Sequence, residues 1–242
     1  MRVYLAGMGG LPWKKRNFYD FYRLDSFLVI LSDEPVHKYK DFILDSGAFS
    51  YMNGRKTDDI DWDEYADRYA AFVLKKNIRN YIEIDVDRVI GLSEVERLRR
   101  RIEKKVGWKS MPVWHVGRGY DYWLKMCTDY DYVCFGAFLV DKLDSSKYPI
   151  VTKFIRDASR LNARVHGLGF TGFKWLPKLH FYSVDSSSWL AGNRYSHVCK
   201  YKDGRVNIIK KPAGCRMTNL EELAWHNFKE WLLFSNYADA YL

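Results

Sequence analysis

The stretch FYSVDSSSW (181–189) decides the predicted fold. It joins a short apolar strand to a carboxylate, Asp185, which is followed by three serines and Trp189. A carboxylate at the end of a buried strand is costly unless it is hydrogen-bonded or used in chemistry. Three further apolar segments also lead to a polar residue: FILDSG to Asp45, YIEIDVD to Asp85 and Asp87, and VWHVG to His115. Polar residues at the carboxyl ends of several parallel strands predict one site at the mouth of a barrel.

Eight segments have the length and apolar content of strands. They are RVYLAG (2–7), SFLVILS (26–32), DFILDSGAFSYM (41–52), NYIEIDVDRVI (80–90), MPVWHVG (111–117), YVCFGAF (132–138), ARVHGLG (163–169) and FYSVD (181–185). Helical patterns fill most of the gaps, at 61–77, 93–107, 120–128 and 148–161, although the connection after residue 32 is too short for a helix. This alternation predicts an α/β fold, specifically a (β/α)₈ TIM barrel.

Local signals mark the ends of several elements. Capping boxes are predicted at Asp61 with Glu64 and at Ser93 with Glu96, and Gly107 is a candidate C-cap. Beyond residue 190 the segment 193–212 alternates on both sides of an Asp-Gly turn at 203–204, which predicts a hairpin. A final amphipathic helix is predicted with a cap at Thr218 and Glu221. We therefore expect one domain over 1–242, with 190–242 forming a C-terminal hairpin and closing helix.

Composition narrows the class of partner. The 242-residue chain has a formal net charge of +9 and 17% aromatic residues, which favours a polyanionic partner such as nucleic acid. The basic run 97–105 would either hold phosphates or form a solvated helix face. Four scattered cysteines are too few for a disulfide scaffold, and no apolar run is long enough to cross a bilayer. We expect a soluble protein of the cytoplasm, that of the host cell if the protein is viral.

The order of the motifs resembles the tRNA-guanine transglycosylase family from about residue 40 to the C-terminus. The matching motifs are DSGAF after strand three, a carboxylate after strand four, FGAF on strand six, HGLG on strand seven and YSVD on strand eight. Arg194 follows Asp185 by nine residues, and the last helix carries the pair His226-Asn227, as in the family. Ser50 stands where the family has glutamine. The chain looks most like the small viral relatives that exchange guanine in DNA for a 7-deazaguanine.

The resemblance implies a glycosyltransferase that transfers a pentosyl group between bases. Asp185 would attack C1′ of a nucleotide and form a covalent glycosyl-enzyme, and Asp45 would act as general acid and base. Asp85, or Asp87 in its place, would accept hydrogen bonds from the base. Further substrate-binding residues are expected along the same mouth: His115, Gly136, Gly167, Gly169, Ser186 and Arg194.

Several of these residues have a structural alternative. His115 would be either a site residue or a satisfied structural histidine. Trp189 or Phe49 would stack on a ring of the substrate, although Trp189 is expected to pack in the core more than to stack. Gly136, Gly167 and Gly169 would let the backbone approach a flat base.

The expected substrates are DNA and a 7-deazaguanine such as 7-cyano-7-deazaguanine. The alternatives are exchange on tRNA and a catalytically silent barrel that only binds nucleic acid.

No cofactor is required for this chemistry. The tRNA enzymes of the family hold zinc with a CxCxxC cluster and a histidine of the last helix, and that cluster is absent from this sequence. A structural zinc would need other ligands of suitable type: His197, Cys199, Cys215 and His226. The alternative is that these four are buried structural residues. The sequence does not predict an oligomeric state.

Overall fold

The alternation of strands and helices produces one curled sheet of eight parallel strands. The computed structural model describes residues 1–8, 18–52, 60–138, 140–190, 197–210 and 218–242. The strands of the sheet are β1 (Arg2–Ala6), β2 (Tyr22–Ser26), β3 (Asp41–Asp45), β4 (Asn80–Tyr81), β5 (Val113–Trp114), β6 (Tyr132–Phe135), β7 (Arg164–Gly167) and β8 (Ser183–Ser186). Their order in the sheet is β4-β3-β2-β1-β8-β7-β6-β5.

The sheet is similar to a TIM barrel, but a continuous strand ladder does not close it. In the described residues, its edge strands β4 and β5 meet at an isolated parallel bridge between Ile82 and Met111. Pro112 has no N–H to extend that bridge, and Val113 donates its N–H to the Glu83 carboxylate at 2.8 Å. The prediction is therefore confirmed as an eight-stranded parallel α/β fold, and not as a closed barrel.

The second strand lies earlier than predicted. It was expected at 26–32, but β2 ends at Ser26, and the N–H groups of Val29 and Ile30 both turn back to the carbonyl of Ser26. The strand itself contains Arg23 and Asp25, both fully buried, with Arg23 Nε donating to Asp25 at 2.7 Å. Two charged residues that neutralise each other inside the protein gave no apolar signal in the sequence.

Helices cover the outer side of the sheet. They are α1 (Ala48–Met52), α2 (Trp62–Lys76), α3 (Asp87–Ile90), α4 (Leu92–Val106), α5 (Tyr120–Asp129), α6 (Tyr148–Arg160), α7 (Leu176–Leu179) and α8 (Leu220–Tyr241). Short 3₁₀ turns lie at Val36–Lys38, Val116–Arg118, Ser145–Lys147 and Ser188–Leu190. The helices predicted at 61–77, 93–107, 120–128 and 148–161 are thus confirmed to within a few residues.

Two of the predicted caps are wrong by a residue or two. Asp61 caps α2 as expected, and its side chain accepts from the N–H of Glu64. The cap of α4 is instead Gly91, which makes no side-chain cap hydrogen bond, so Ser93 lies inside the first turn. Asn219, not Thr218, caps α8 by accepting from the N–H of Glu222. Gly107 has a φ of +90° and ends α4 as predicted.

The C-terminal hairpin is confirmed. It consists of β9 (His197–Lys202) and β10 (Arg205–Lys210), and Asp203 and Gly204 have φ values of +52° and +74°, as a tight hairpin turn requires. Helix α8 packs between this hairpin and β1. No helix in the described part of the chain is long and apolar enough to cross a membrane.

The sheet separates two apolar clusters. A small cluster that includes Tyr4, Ile43 and Cys134 fills the inner face, and a larger one lies between the outer face and the helices. Because side chains alternate along a strand, Asp45 shares the inner face with Ile43. Asp185 pairs in register with Tyr4 and lies on the same face. The inner face therefore carries apolar residues below and carboxylates at the carboxyl ends of the strands.

Candidate active site

Three carboxylates meet at the carboxyl ends of β3, β4 and β8. Asp45 is the last residue of β3, Asp85 follows β4, and Asp185 lies in β8. Burial, the negative charge of Asp85 and then that of Asp185 raise the pKa of Asp45 to about 7, against the lowering effect of the Gly47 N–H. Asp45 nevertheless keeps some exposure to solvent. The structure thus brings together three of the four strand-end acids that the sequence singled out.

Asp185 is held by one of its two oxygens. The Gly169 N–H donates to Oδ1 at 2.7 Å, and His166 Nε2 lies 3.3 Å from the same oxygen. The Asp185 side chain is 12% exposed. Gly169 has a φ of +63°, a conformation that favours glycine, and this directs its N–H toward the carboxylate. Gly169, predicted to lie beside a base, thus contacts the predicted nucleophile.

Asp85 is held by His115. The His115 ring is buried, and its Nε2 lies 3.1 Å from Asp85 Oδ2. A Cβ at Gly136 would lie 2.8 Å from His115 Cε1, so the absence of a side chain there leaves space for the imidazole. At Gly136, where the backbone was expected to approach a flat base, the missing side chain leaves room for the ring of His115. His115 is thus a buried neighbour of the carboxylate group, a position that fits either of its two expected roles.

Other predicted site residues have local structural partners. A Cβ at Gly167 would lie 3.2 Å from the ring of Phe181, so this glycine allows close packing. Ser186 is buried, and its Oγ accepts from the N–H of Ser188 at 3.1 Å, within its own turn. Trp189 is fully buried and donates to the Ala6 carbonyl at 2.9 Å, in agreement with the packing alternative. Arg194 and the side chain of Phe49 lie outside the described part of the structure.

Asp87 pairs with Arg118, and its Oδ1 also lies 4.0 Å from His115 Nε2, the nitrogen that contacts Asp85. Asp87 accepts from Arg118 Nε at 2.9 Å, and Arg118 Nη1 donates to Glu83 at 2.6 Å. A pocket of about 360 Å³ opens beside these residues, within the roughly 300–1,000 Å³ typical of small-molecule sites. Its lining residues are Asp87, Arg88, Leu92, His115, Val116, Gly117, Arg118 and Asp141. His115 therefore lies between the pocket and Asp85.

Sequence reasoning missed His166, Glu83 and Arg118. His166 is fully buried on the inner face, and Glu83 is buried at 1% exposure. The HGLG segment was quoted for its glycines, although two-residue alternation from Arg164 would have directed His166 to the same face as the strand-end acids. Glu83 and Arg118 are 35 residues apart, and their contact could not be read from the sequence.

The predicted zinc ligands do not form a metal site in the described residues. No three histidine, cysteine, aspartate or glutamate side chains are grouped there in a way that could hold a metal ion. His226 Nε2 lies 2.9 Å from the carbonyl oxygen of Cys199, and the Asn227 amide donates to the carbonyl of His197 at 2.9 Å. These side chains attach α8 to β9. Cys215, the fourth predicted ligand, lies outside the described ranges.

The basic run of α4 is largely paired within the protein. Arg97 forms an ion pair with Asp63, and Arg101 and Lys105 form ion pairs with Asp67, both on the neighbouring helix α2. These contacts favour the solvated helix face over a phosphate-binding surface.

Comparison of the chain with models of known protein families gives no match, and comparison with curated proteins gives none either.

Proposed function

We propose that this protein is a DNA-guanine transglycosylase, a pentosyl-transferring enzyme that exchanges guanine in DNA for a 7-deazaguanine on its eight-stranded parallel α/β scaffold. One observation carries the proposal. Asp45, a carboxyl group with a pKa of about 7, is close enough to Asp185 for the charge of Asp185 to raise that pKa, and in the described residues the donors to Asp185 contact one of its two oxygens. One group suited to proton transfer and one suited to nucleophilic attack are what double displacement at a glycosidic carbon requires.

In the first step Asp185 Oδ2 attacks C1′ of the nucleotide. The new C1′–O bond forms as the bond from C1′ to guanine breaks, and the departing base takes the electron pair. Asp45 gives its proton to a ring nitrogen of that base. Because its pKa lies near 7, Asp45 carries this proton for a substantial part of the time at neutral pH.

In the second step the incoming 7-deazaguanine completes the exchange. Its ring N–H gives a proton to the Asp45 carboxylate, and the ring nitrogen attacks C1′ and displaces Asp185. Two inversions leave the configuration at C1′ unchanged, and no proton or electron is consumed overall. No metal is needed in either step. Asp85, oriented by His115, is the acceptor proposed for the donor edge of the purine.

Access to C1′ requires the target nucleotide to leave the stack. Flipping a base out of a duplex costs a few kcal/mol, and a single-stranded substrate avoids most of that cost. We therefore expect faster exchange on single-stranded than on duplex DNA. The net charge of +9 favours binding to either form and a steep decrease in affinity with salt.

The test is base exchange followed by nucleoside mass spectrometry. The full chain is incubated with 7-cyano-7-deazaguanine and either DNA or tRNA, in parallel with the variant Asp185→Asn. The matched control is Asp131→Asn, which changes an acid that is 79% exposed in its side chain and lies just before β6. We expect a modified deoxyribonucleoside with the wild type and with Asp131→Asn, and none with Asp185→Asn.

The other outcomes select the alternatives. A modified ribonucleoside with unmodified DNA would assign the activity to tRNA. Nucleic-acid binding without exchange, equal in the wild type and in Asp185→Asn, would identify a silent binding protein. Undiminished exchange by Asp185→Asn would remove the nucleophile assignment.

A further inference from the structure

A chain of buried hydrogen bonds leads from the inner face of the sheet to Asp185. The Tyr132 hydroxyl lies 2.6 Å from Ser183 Oγ, and Ser183 Oγ lies 2.6 Å from His166 Nδ1. His166 Nε2 then lies 3.3 Å from Asp185 Oδ1. Tyr132 is 4% exposed, and Ser183 and His166 are fully buried. Three neighbouring strands, β6, β7 and β8, supply the four side chains.

The chemistry of the groups sets the direction of this chain. A carboxylate only accepts, so His166 Nε2 carries the hydrogen and donates to Asp185. In the neutral imidazole Nδ1 is then an acceptor, and Ser183 donates to it. Burial raises the pKa of Tyr132 well above its ordinary range, so Tyr132 remains a hydroxyl that donates to Ser183. This tautomer is assigned from the hydrogen-bond network, in which every contact then has one donor and one acceptor.

Serine, histidine and aspartate also occur together in hydrolases with a nucleophilic serine, but the arrangement here differs. Ser183 has no exposed surface and lies between Tyr132 and His166. A hydroxyl in that position does not reach a substrate. The exposed end of this hydrogen-bond chain is the Asp185 carboxylate. Ser183 therefore orients His166, and Asp185 is the group that reacts.

Both donors to Asp185 contact the same oxygen. The Gly169 N–H and His166 Nε2 each contact Oδ1, and within the described ranges no hydrogen-bond donor contacts Oδ2. We infer that His166 is a positioning residue, which Ser183 and Tyr132 lock in one tautomer so that it fixes Oδ1 and presents Oδ2 to the sugar carbon. This inference rests on the proposed function. In the displacement His166 keeps its proton, and only Oδ2 forms a bond to C1′.

Activity measurements test this role through a series of variants. His166→Leu removes the donor and is expected to lower kcat by about 10²-fold, since small misplacements of a reacting group cost that much. The KM for DNA should stay within about twofold, because His166 is fully buried and has no exposed surface for a contact with DNA. His166→Gln retains a side-chain N–H and should recover at least part of the loss. Ser183→Ala removes one hydrogen bond behind the ring and should lower kcat by about 3- to 10-fold.

The matched control is Ser235→Ala. Ser235 is also a buried serine, 2% exposed, but its Oγ donates to the Val3 carbonyl at 2.9 Å and has no contact with the chain to Asp185. Its kcat should equal that of the wild type. Nitrogen NMR shifts of His166 provide a readout that does not depend on activity. We expect hydrogen on Nε2 in the wild type and a mixture of tautomers in Ser183→Ala, and this comparison applies even if His166→Leu does not fold.

The outcomes separate this inference from the proposed function. Absence of exchange by the wild type would overturn the proposed function, and the inference with it. Exchange by the wild type and undiminished kcat in His166→Leu would overturn the inference alone. Equal loss of kcat in Ser235→Ala and Ser183→Ala, or hydrogen on Nδ1 of His166 in the wild type, would also overturn it.

Discussion

Buried carboxylates on the two faces of the sheet differ in their partners. On the outer face, Asp25 and Glu34 both pair with Arg23, and Glu83 pairs with Arg99 and Arg118. On the inner face, the described part of the structure gives Asp45, Asp85 and Asp185 no arginine or lysine in ion-pair contact. Two of these three have a histidine partner instead: His115 for Asp85 and His166 for Asp185.

This difference in partners separates acids that stabilise the fold from acids that remain available for chemistry. A buried carboxylate paired with arginine is neutralised and fixed by two or more hydrogen bonds. A buried carboxylate without a cation stays costly to ionise, and at Asp45 this cost appears as the pKa of about 7. Such groups are retained where chemistry requires them, which makes the inner face the candidate site.

The comparison is tested most strongly by removing the cation of the outer face. Arg23→Leu would leave Asp25 and Glu34 buried without their counter-charge, and we expect the free energy of unfolding to decrease by about 3–5 kcal/mol. Urea denaturation at neutral pH measures the loss. The control is Arg164→Leu, whose partner Asp131 is largely exposed, and its effect should be about 1 kcal/mol or less. Equal effects of the two substitutions would contradict the assignment of Arg23 to the fold.

Removing the charge of an inner-face acid should instead increase the free energy of unfolding. Unfolded, the Asp45 carboxyl loses its proton near its ordinary pKa of 3.8, whereas in the folded protein it keeps the proton until about pH 7. Between these values the folded state binds more protons, so wild-type stability falls as pH rises, by about 1.4 kcal/mol per pH unit. Asp45→Asn does not titrate and escapes this loss.

The measurement is the difference in unfolding free energy between Asp45→Asn and the wild type across this range. It should grow in favour of the variant from about pH 4 to about pH 7 and level off above that. The other titrating groups largely cancel in the difference. A difference that stays constant across the window would show that Asp45 titrates normally.

The packing of His115 on the inner face depends on the absence of a side chain at Gly136. A Cβ there would lie 2.7 Å from Val113 Cγ1 and 2.8 Å from His115 Cε1, so Gly136→Ala should displace the imidazole from Asp85. Overpacking of this kind costs about 1–3 kcal/mol. Gly117→Ala is the control because no atom lies within 4 Å of a Cβ at that position. Thermal unfolding of the two variants compares them, and equal melting temperatures would mean that the His115 site adapts without strain.

The parts of this molecule that sequence could predict are those with a local signal. Apolar runs located most strands, and an acid at the end of a run located Asp45 and Asp185. Strand β2 was misplaced because Arg23 and Asp25 interrupt the apolar pattern that defines a strand, and only their mutual contact makes them buried. Composition predicted a basic protein, but it did not indicate that the α4 arginines pair with acids of α2.

What sequence could not supply are contacts between residues far apart along the chain. His166 and Ser183 are 17 residues apart and His115 and Asp85 are 30 apart, so neither pairing has a spacing signal. The glycines illustrate the same limit. Gly136 and Gly169 were predicted to lie beside a base, and the sequence did not indicate that Gly136 leaves space for His115 or that Gly169 donates to Asp185.

Asp185→Asn should change stability least, although it removes the proposed nucleophile. The asparagine Oδ1 can accept from Gly169 and His166 as the carboxylate does, and the new amide group replaces Oδ2, which has no donor partner in the described structure. At 12% exposure the amide can also reach water. We therefore expect the free energy of unfolding to stay within about 1 kcal/mol of the wild type, since no hydrogen bond is lost. Urea denaturation, run beside the exchange assay, measures both properties. A loss of several kcal/mol would mean that Asp185 holds the fold as Asp25 does, and the contrast between the two faces would fail at its central residue.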